Sequence, residues 1–429
     1  MFLEGTGWTL PCSHVDVDDD THLIVNRVLG EVLKTGVTTL RCLHRTKDRE
    51  RNLREFFNEI EVHDAAWCPP ESSRWIGRGE LADLTLAHPE HLPIIEGYLS
   101  ELESGHIPPL RPPWARRGWF ESASSWIQEQ IHHLGYKLTG KIEQLRTWSI
   151  SCVLRAETNA GVLYFKQAAA IPLFGDEPAV TAGLSKFYPN HVPTVLATDN
   201  ERGWLLLKDF GGAIGWDAPL ETREAMYRTF AQIQLDAVNH VDELLGMGCL
   251  DRRLERLPTH LDGLLRDWET SPSRSDVTEA QRLRAIAPRL KAMCHELAGY
   301  NVPQTLVHGD LHFGNVAFQG DRFIFFDWTD SCVTHPFLDA INIFGEEDAA
   351  KREQLRDAYL AAWTSYEPME RLMEMWKLAE PLSALHQVIS YQGIVNGVEP
   401  GSRWELAGGV SHFARQLLKS VSRQNSDAC

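Results

Sequence analysis

Three oxygen-bearing side chains in the C-terminal half of the chain are spaced as a catalytic set. Asp310 and Asn315 lie five positions apart in Leu306-Val307-His308-Gly309-Asp310-Leu311-His312-Phe313-Gly314-Asn315, and Asp327 closes the apolar run Phe323-Ile324-Phe325-Phe326 twelve residues after Asn315. A carboxylate in a polar loop can orient a hydroxyl group and accept its proton. An amide oxygen and a second carboxylate are hard ligands of the kind Mg2+ prefers. Together they are the minimum equipment for moving a phosphoryl group from ATP. Asp310 takes the part of the base, with Asn315 and Asp327 as the metal ligands. Gly309 and Gly314 allow the tight backbone that such a loop needs.

The elements around this set must hold it. Phe323 to Phe326 reads as a strand in a small hairpin with Asn315-Val316-Ala317-Phe318, turning at Gln319-Gly320-Asp321, which brings Asp327 back beside Asn315. Upstream, a helical stretch over 120–133 precedes alternating runs over 141–148 and 151–158. A third run, 162–166, follows the turn Asn159-Ala160-Gly161, so these three form a small antiparallel sheet. Glu177 to Phe187 has helical spacing, 192–198 is strand-like, and Trp204-Leu205-Leu206-Leu207 is a short apolar strand ending at Lys208-Asp209-Phe210-Gly211-Gly212. From Thr222 onward the pattern is mainly helical. The fold class expected is α+β, a sheet-rich lobe followed by a helix-rich one, with a smaller α/β segment in front.

Length and composition agree with several folded units. The 429 residues exceed one ordinary core, 43% hydrophobic and 24% charged residues are values of a globular chain, and a net charge of −17 argues against nucleic acid or anionic lipid as a partner. The eight cysteines are scattered, without a Cys-x-x-Cys pair, and read as reduced thiols. No apolar run reaches the length of a membrane span and Met1-Phe2-Leu3-Glu4-Gly5 lacks a basic leader, so a cytoplasmic location without a membrane partner is expected. Four prolines within 108–113 mark the clearest break. The division expected is 1–112, 113–212 and 213–429.

The loop from His308 to Asn315 resembles the His-Gly-Asp-x-His-x-x-Asn segment of the aminoglycoside phosphotransferase and choline kinase superfamily, relatives of the protein kinases. The resemblance implies a bilobal protein-kinase-like fold, a small-molecule kinase activity with ATP and Mg2+, and Asp310 as the catalytic base. It implies structural roles for His308 and His312. His335-Pro336-Phe337-Leu338-Asp339-Ala340 resembles the family's Asp-Pro-x-x-Asp-Leu-Ala segment, with Asp339 bracing the catalytic loop and His335 where the family often has Asp. Lys166, at the end of the third strand, takes the place of the lysine that neutralises the α- and β-phosphates, and Glu177 that of its ion-pair partner. The covering loop Arg146-Thr147-Trp148-Ser149-Ile150-Ser151 has no glycine, and its amides with the Ser149 and Ser151 hydroxyls are the candidates to meet phosphate oxygens. Backbone around Lys208, Asp209 and Phe210 stands where the family holds adenine.

Trp8-Thr9-Leu10-Pro11, followed by an acidic stretch and a helical pattern over 24–35, resembles the opening of a Nudix hydrolase. Cys12 and Ser13 occupy the positions of its two glycines, and only Glu31 survives near Arg27 among the expected glutamates. A degenerate domain without pyrophosphatase chemistry is implied. The acidic run Asp16-Val17-Asp18-Asp19-Asp20 suits either a divalent ion or water. The expected partner is a small-molecule alcohol; the acidity suits an amino sugar or other cationic acceptor, and equally suits solubility. A catalytically inactive nucleotide-binding module is the alternative reading.

Overall fold

The structure is a computed structural model that describes residues 1–4, 7–15, 22–48, 53–270 and 274–426. The acidic run at 16–20 lies outside the described residues. The chain divides into two compact units, one of residues 1–169 with 398–403 and the other of residues 170–397 with 404–429.

In the first unit, β1 (Phe2–Glu4) pairs with β2 (Gly7–Thr9), α1 (His22–Leu33) follows, and β3 (Val37–Asp48) pairs antiparallel with β4 (Leu53–Val62) through two register shifts. The helices α2 (Arg78–Leu81), α3 (Leu92–Ser104) and α4 (Trp119–His133) lead into a meander of β5 (Leu138–Thr147), β6 (Ser151–Thr158) and β7 (Gly161–Ala168). The sequence-predicted hairpin turns where the pair Thr158 and Gly161 closes it, Gly161 having φ +108°. Residues alternate across the sheet: Cys152, Leu154, Ala156, Leu163 and Phe165 are buried. Against Phe165 pack Trp119 and Trp126 of α4, whose buried positions 119, 123, 126, 127 and 131 form one helical stripe. Lys166 is half-buried on the opposite face of β7, paired in register with Val153.

A buried amide network ties α1 and β3 to β5. Asn26 Nδ2 donates to Gln144 Oε1 (2.8 Å), Thr39 Oγ1 to Asn26 Oδ1 (2.8 Å), and the Thr39 backbone exchanges hydrogen bonds with the Gln144 amide at 2.9 and 2.8 Å. Residues on both sides of the proline-rich segment therefore share this unit. Arg27 of α1 forms a two-pronged ion pair with Glu143 of β5 (2.8 and 2.7 Å), and Glu31 is exposed.

The second unit begins with α5 (Glu177–Phe187) and the hairpin of β8 (Val195–Asp199) and β9 (Trp204–Lys208). Helices α6 (Leu220–Ala237) and α7 (Val241–Gly246) precede the short strand β10 (Leu250–Asp251), then come α8 (Leu257–Thr270) and α9 (Arg274–Leu297). Strand β11 (Thr305–Val307) leads into the loop from His308 to Asn315, and β12 (Val316–Gln319) with β13 (Arg322–Phe325) form the expected hairpin. β14 (Cys332–Thr334) lies between β10 and β11, parallel to the first and antiparallel to the second. Helices α10 (Ile341–Phe344), α11 (Ala349–Leu360), α12 (Met369–Gly397) and α13 (Ala407–Ser426) complete it. α12 is the axis of the unit, since its residues from Pro381 to Ser390 are all buried, as a helix surrounded on every side must be. Among the described residues, no helix is long and apolar enough to cross a membrane. The sheet-then-helix order makes the fold α+β.

Candidate active site

The loop between β11 and β12 is clamped from below. Both oxygens of the buried Asp339 carboxylate accept backbone N–H groups, His308 at 2.7 Å and Gly309 at 2.9 Å, and Gln234 of α6 donates to it at 3.3 Å. Tyr359 holds Gln234 in turn, donating to its Oε1 at 2.5 Å. Burial pushes the Asp339 carboxyl up to about 7, against the pull of the two amide donors, and the neighbouring charge of Asp310 adds to the rise. Gln387 of α12 donates to the Gly309 carbonyl (2.6 Å) and Asn342 to that of Leu311 (2.6 Å). The loop is thus gripped by side chains from three helices.

Gly309 has φ +83°, and a Cβ there would overlap the carbonyl of Asp330. Left-handed strain and overlap together predict that Gly309→Ala costs about 3 kcal/mol or more. Urea denaturation measures this, and a loss under 1 kcal/mol would contradict the geometry.

His308 is fully buried against the Trp328 ring, 4.6 Å between centroids. Its Nε2 donates to the Phe326 carbonyl at 3.0 Å, leaving Nδ1 to accept from the Asp310 N–H at 3.4 Å. Burial holds it down to about 4 despite the nearby Asp310 and Asp327 charges, so it is a neutral scaffold residue.

The Asp310 side chain is 39% exposed, and its Oδ2 accepts from Asn315 Nδ2 at 3.1 Å while His312 Nε2 lies 3.4 Å away. His312 Nδ1 accepts from the Gly314 N–H (3.0 Å), so Nε2 carries the proton and faces the carboxylate. Burial alone would lower the His312 pKa, but the hydrogen bond and charge of Asp310, with Asp327 beyond, raise it. The ring stacks on the exposed Trp216, 5.6 Å between centroids. His312 is therefore an electrostatic neighbour of the carboxylate as well as a brace, a role spacing alone does not reveal.

Asn315 turns its amide nitrogen to Asp310, toward both the backbone carbonyl (3.0 Å) and Oδ2. Its Oδ1 carries no hydrogen bond among the described residues. The β12–β13 hairpin pairs Val316 with Phe325, and the ladder runs one step further with Phe326 N–H donating to the Asn315 carbonyl at 3.0 Å. Asp327 follows at once, in the left-handed region at φ 66°, ψ 65°, its Oδ1 held by Thr329 Oγ1 at 2.6 Å. Phe325 and Trp328 on either side are fully buried, each contributing about 2–3 kcal/mol of burial, which can offset about 1–2 kcal/mol of backbone strain at Asp327. The Asn315 amide oxygen and the Asp327 carboxylate, at the two ends of one hairpin, are hard oxygen donors of the kind that fits Mg2+.

The other expected residues lie on several elements. Glu177 is buried at the first position of α5, where Asp176 caps the helix by accepting from Ala179 N–H (3.3 Å). Asp209 makes a tight turn after β9, accepting from Gly211 N–H at 3.0 Å. In the first unit, Ser149 and Ser151 are both buried, and Ser151 Oγ accepts from Trp148 Nε1 at 2.7 Å. His335 does the capping work of an Asp, its Nδ1 accepting from Phe337 N–H at 3.3 Å. Sequence reading did not single out Gln234, Asn342 and Gln387, which lie 72 to 105 residues from their partners in the cases of Gln234 and 78 in that of Gln387. No local motif marks them. On α12 the Tyr391 phenol has its pKa raised by burial first and then by the charges of Asp310 and Asp330.

The family described as Phosphotransferase enzyme family matches residues 157–375, just over half of the chain. Among curated proteins, nothing matches. Among solved structures, a choline/ethanolamine kinase family protein from Mesorhizobium loti is similar at 19% identity, TM-score 0.47, covering 70% of this chain and 98% of that one. A choline kinase from Streptococcus pneumoniae gives 16% identity and TM-score 0.46 over 69% and 98% of the two chains. A macrolide 2'-phosphotransferase from Brachybacterium faecium gives 15% and 0.43 over 69% and 98%. The chain belongs to the phosphotransferase enzyme family and has its protein-kinase-like α+β fold.

Proposed function

We propose that this phosphotransferase moves the γ-phosphate of ATP to a hydroxyl group of a small-molecule alcohol. The observation that carries the reading is the half-exposed Asp310 carboxylate, hydrogen-bonded to Asn315 and faced by the protonated Nε2 of His312. In this reading Asp310 orients the acceptor hydroxyl and takes its proton as the new O–P bond forms and the bond to ADP breaks. The Asn315 Oδ1 and the Asp327 carboxylate would hold Mg2+, which neutralises charge on the phosphates when bound. Lys166 is assigned to the α- and β-phosphates and Glu177 to Lys166, on the family order of lysine then glutamate. The segment with Ser149 and Ser151 is assigned to covering the phosphates, and the backbone near Asp209 to the adenine. Residues 1–112 are assigned an accessory, degenerate Nudix-like role, ahead of functional segments 113–212 and 213–429.

The test is Mg2+-dependent ADP formation from ATP over a panel of alcohols, both cationic and neutral, with Asp310→Asn alongside. Equal rates in wild type and variant would end the kinase reading and leave an inactive nucleotide-binding module. Asp327→Asn is expected to raise the Mg2+ concentration for half-maximal rate by at least about tenfold, since one hard, charged ligand becomes neutral. An unchanged Mg2+ dependence would remove Asp327 from the metal site.

A further inference from the structure

Arg252 follows β10 directly, and its backbone N–H donates to the Val333 carbonyl at 3.1 Å, which sets it against β14. It is only 2% exposed. Nη1 donates to His386 Nε2 (3.1 Å) and to Ser390 Oγ (2.5 Å), both on α12. Nε and Nη2 have no partner among the described residues. No carboxylate there pairs with Arg252 either, because the adjacent Asp251 is taken by Arg253 (2.8 Å) and Arg256 (2.7 Å).

A guanidinium stays charged at any working pH, and burying one without a counter-charge is strongly unfavourable. In a chain with 59 acidic residues, the lack of a carboxylate here calls for a physical reason. The two donors concerned lie on one edge of the guanidinium, where parallel N–H groups match the two oxygens of a carboxylate or phosphate. The surroundings are cationic or donor-rich as well. His386 is buried and accepts from Arg252 through Nε2, so its Nδ1 bears the proton, again with no partner among the described residues. His260 on α8 is half-buried, and after burial the charges of Arg252 and Arg256 hold its pKa below the ordinary value.

The place is next to the chemistry. Cys332, whose sulfur lies 3.6 Å from His386 Nε2, pairs in register with Val307, the residue before the His308-Gly309-Asp310 loop. Gln387, which follows His386, is the residue that fixes the Gly309 carbonyl. We propose that Arg252 forms a subsite for a small oxyanion, a carboxylate or phosphate group, which it receives through its Nε and Nη2 edge. That the group belongs to the phosphoryl acceptor rests on the kinase reading; that the site binds an oxyanion does not.

The test uses the full chain, saturated with Mg-ADP, and follows thermal unfolding as inorganic phosphate replaces chloride at constant ionic strength. Wild type is expected to show a saturable rise in Tm. Arg252→Lys, which keeps the charge and loses the paired edge, should weaken phosphate binding by about tenfold. Arg252→Met should bind ADP like wild type and show no phosphate-dependent shift. No shift in wild type, or equal shifts in all three proteins, would overturn the proposal; if Arg252→Met does not fold, Arg252→Lys carries the comparison. In turnover assays, phosphate competing with the acceptor marks the oxyanion as part of the acceptor, and a rate change without competition marks it as a separate effector. Should Asp310→Asn prove as active as wild type, the kinase reading fails while the phosphate shift still reports on the site.

Discussion

Asp310→Asn is expected to lower phosphoryl transfer by roughly 10²–10⁴-fold while leaving the fold intact. The amide keeps the shape of the carboxylate but cannot take the proton of the acceptor hydroxyl. The side chain is 39% exposed, outside the buried brace that Asp339 provides, so the change in stability should stay within about 0.5 kcal/mol. A second readout separates loss of the base from a general disturbance of the loop. Asp310 raises the pKa of His312 through a hydrogen bond and its charge, so the variant should show the His312 ring titrating at lower pH in an NMR experiment. A His312 titration identical in both proteins would mean that the ring does not face the carboxylate in solution.

Asp339→Ala should have the largest effect on stability. It leaves the N–H groups of His308 and Gly309 buried without acceptors, each at about 1–3 kcal/mol, so a total loss of about 2–6 kcal/mol is expected in denaturant titrations. Activity should fall as well, because the same two amides set the loop that carries Asp310. The pH dependence has a definite sign. The folded-state pKa of Asp339, about 7, lies above the ordinary carboxyl value of 3.8, so the native chain binds this proton more tightly than the unfolded chain does. The contribution is fully present below pH about 4 and is lost as pH rises through 7. Relative to Asp339→Asn, wild type should therefore lose on the order of 4 kcal/mol between those limits. A difference curve flat across that window would show that Asp339 is ionised throughout and that its amide partners outweigh burial.

The loop from His308 to Asn315 was legible in the sequence because its contacts are local. Asp310 and Asn315 are held by contacts within one loop, and the apolar alternation of 316–318 and 323–325 with a glycine turn specifies a hairpin whose register delivers Asp327. The same locality made the meander of β5 to β7 and the helix from Glu177 readable, since strand alternation and helix caps are short-range signals. The element order, and with it the α+β class, followed from those patterns.

Tertiary structure decided what acts on that loop from far along the chain. Gln234, Asn342, Tyr359 and Gln387 are ordinary helix residues by any local criterion, and only packing brings their polar ends to the backbone of 308–311 or to its brace. The protonated face of His312 depends on which nitrogen the Gly314 amide occupies, and the high pKa of Asp339 on how completely the core excludes water. Arg252 is the plainest case, because its charge is visible in the sequence while its burial without a carboxylate exists only in the fold. Local backbone preference and apolar periodicity are written residue by residue, so the sequence by itself determined the candidate site residues and the elements that carry them. Desolvation and long-range hydrogen bonding are properties of the packed chain, which is why protonation states, the brace and the buried cation were decided by the tertiary structure alone.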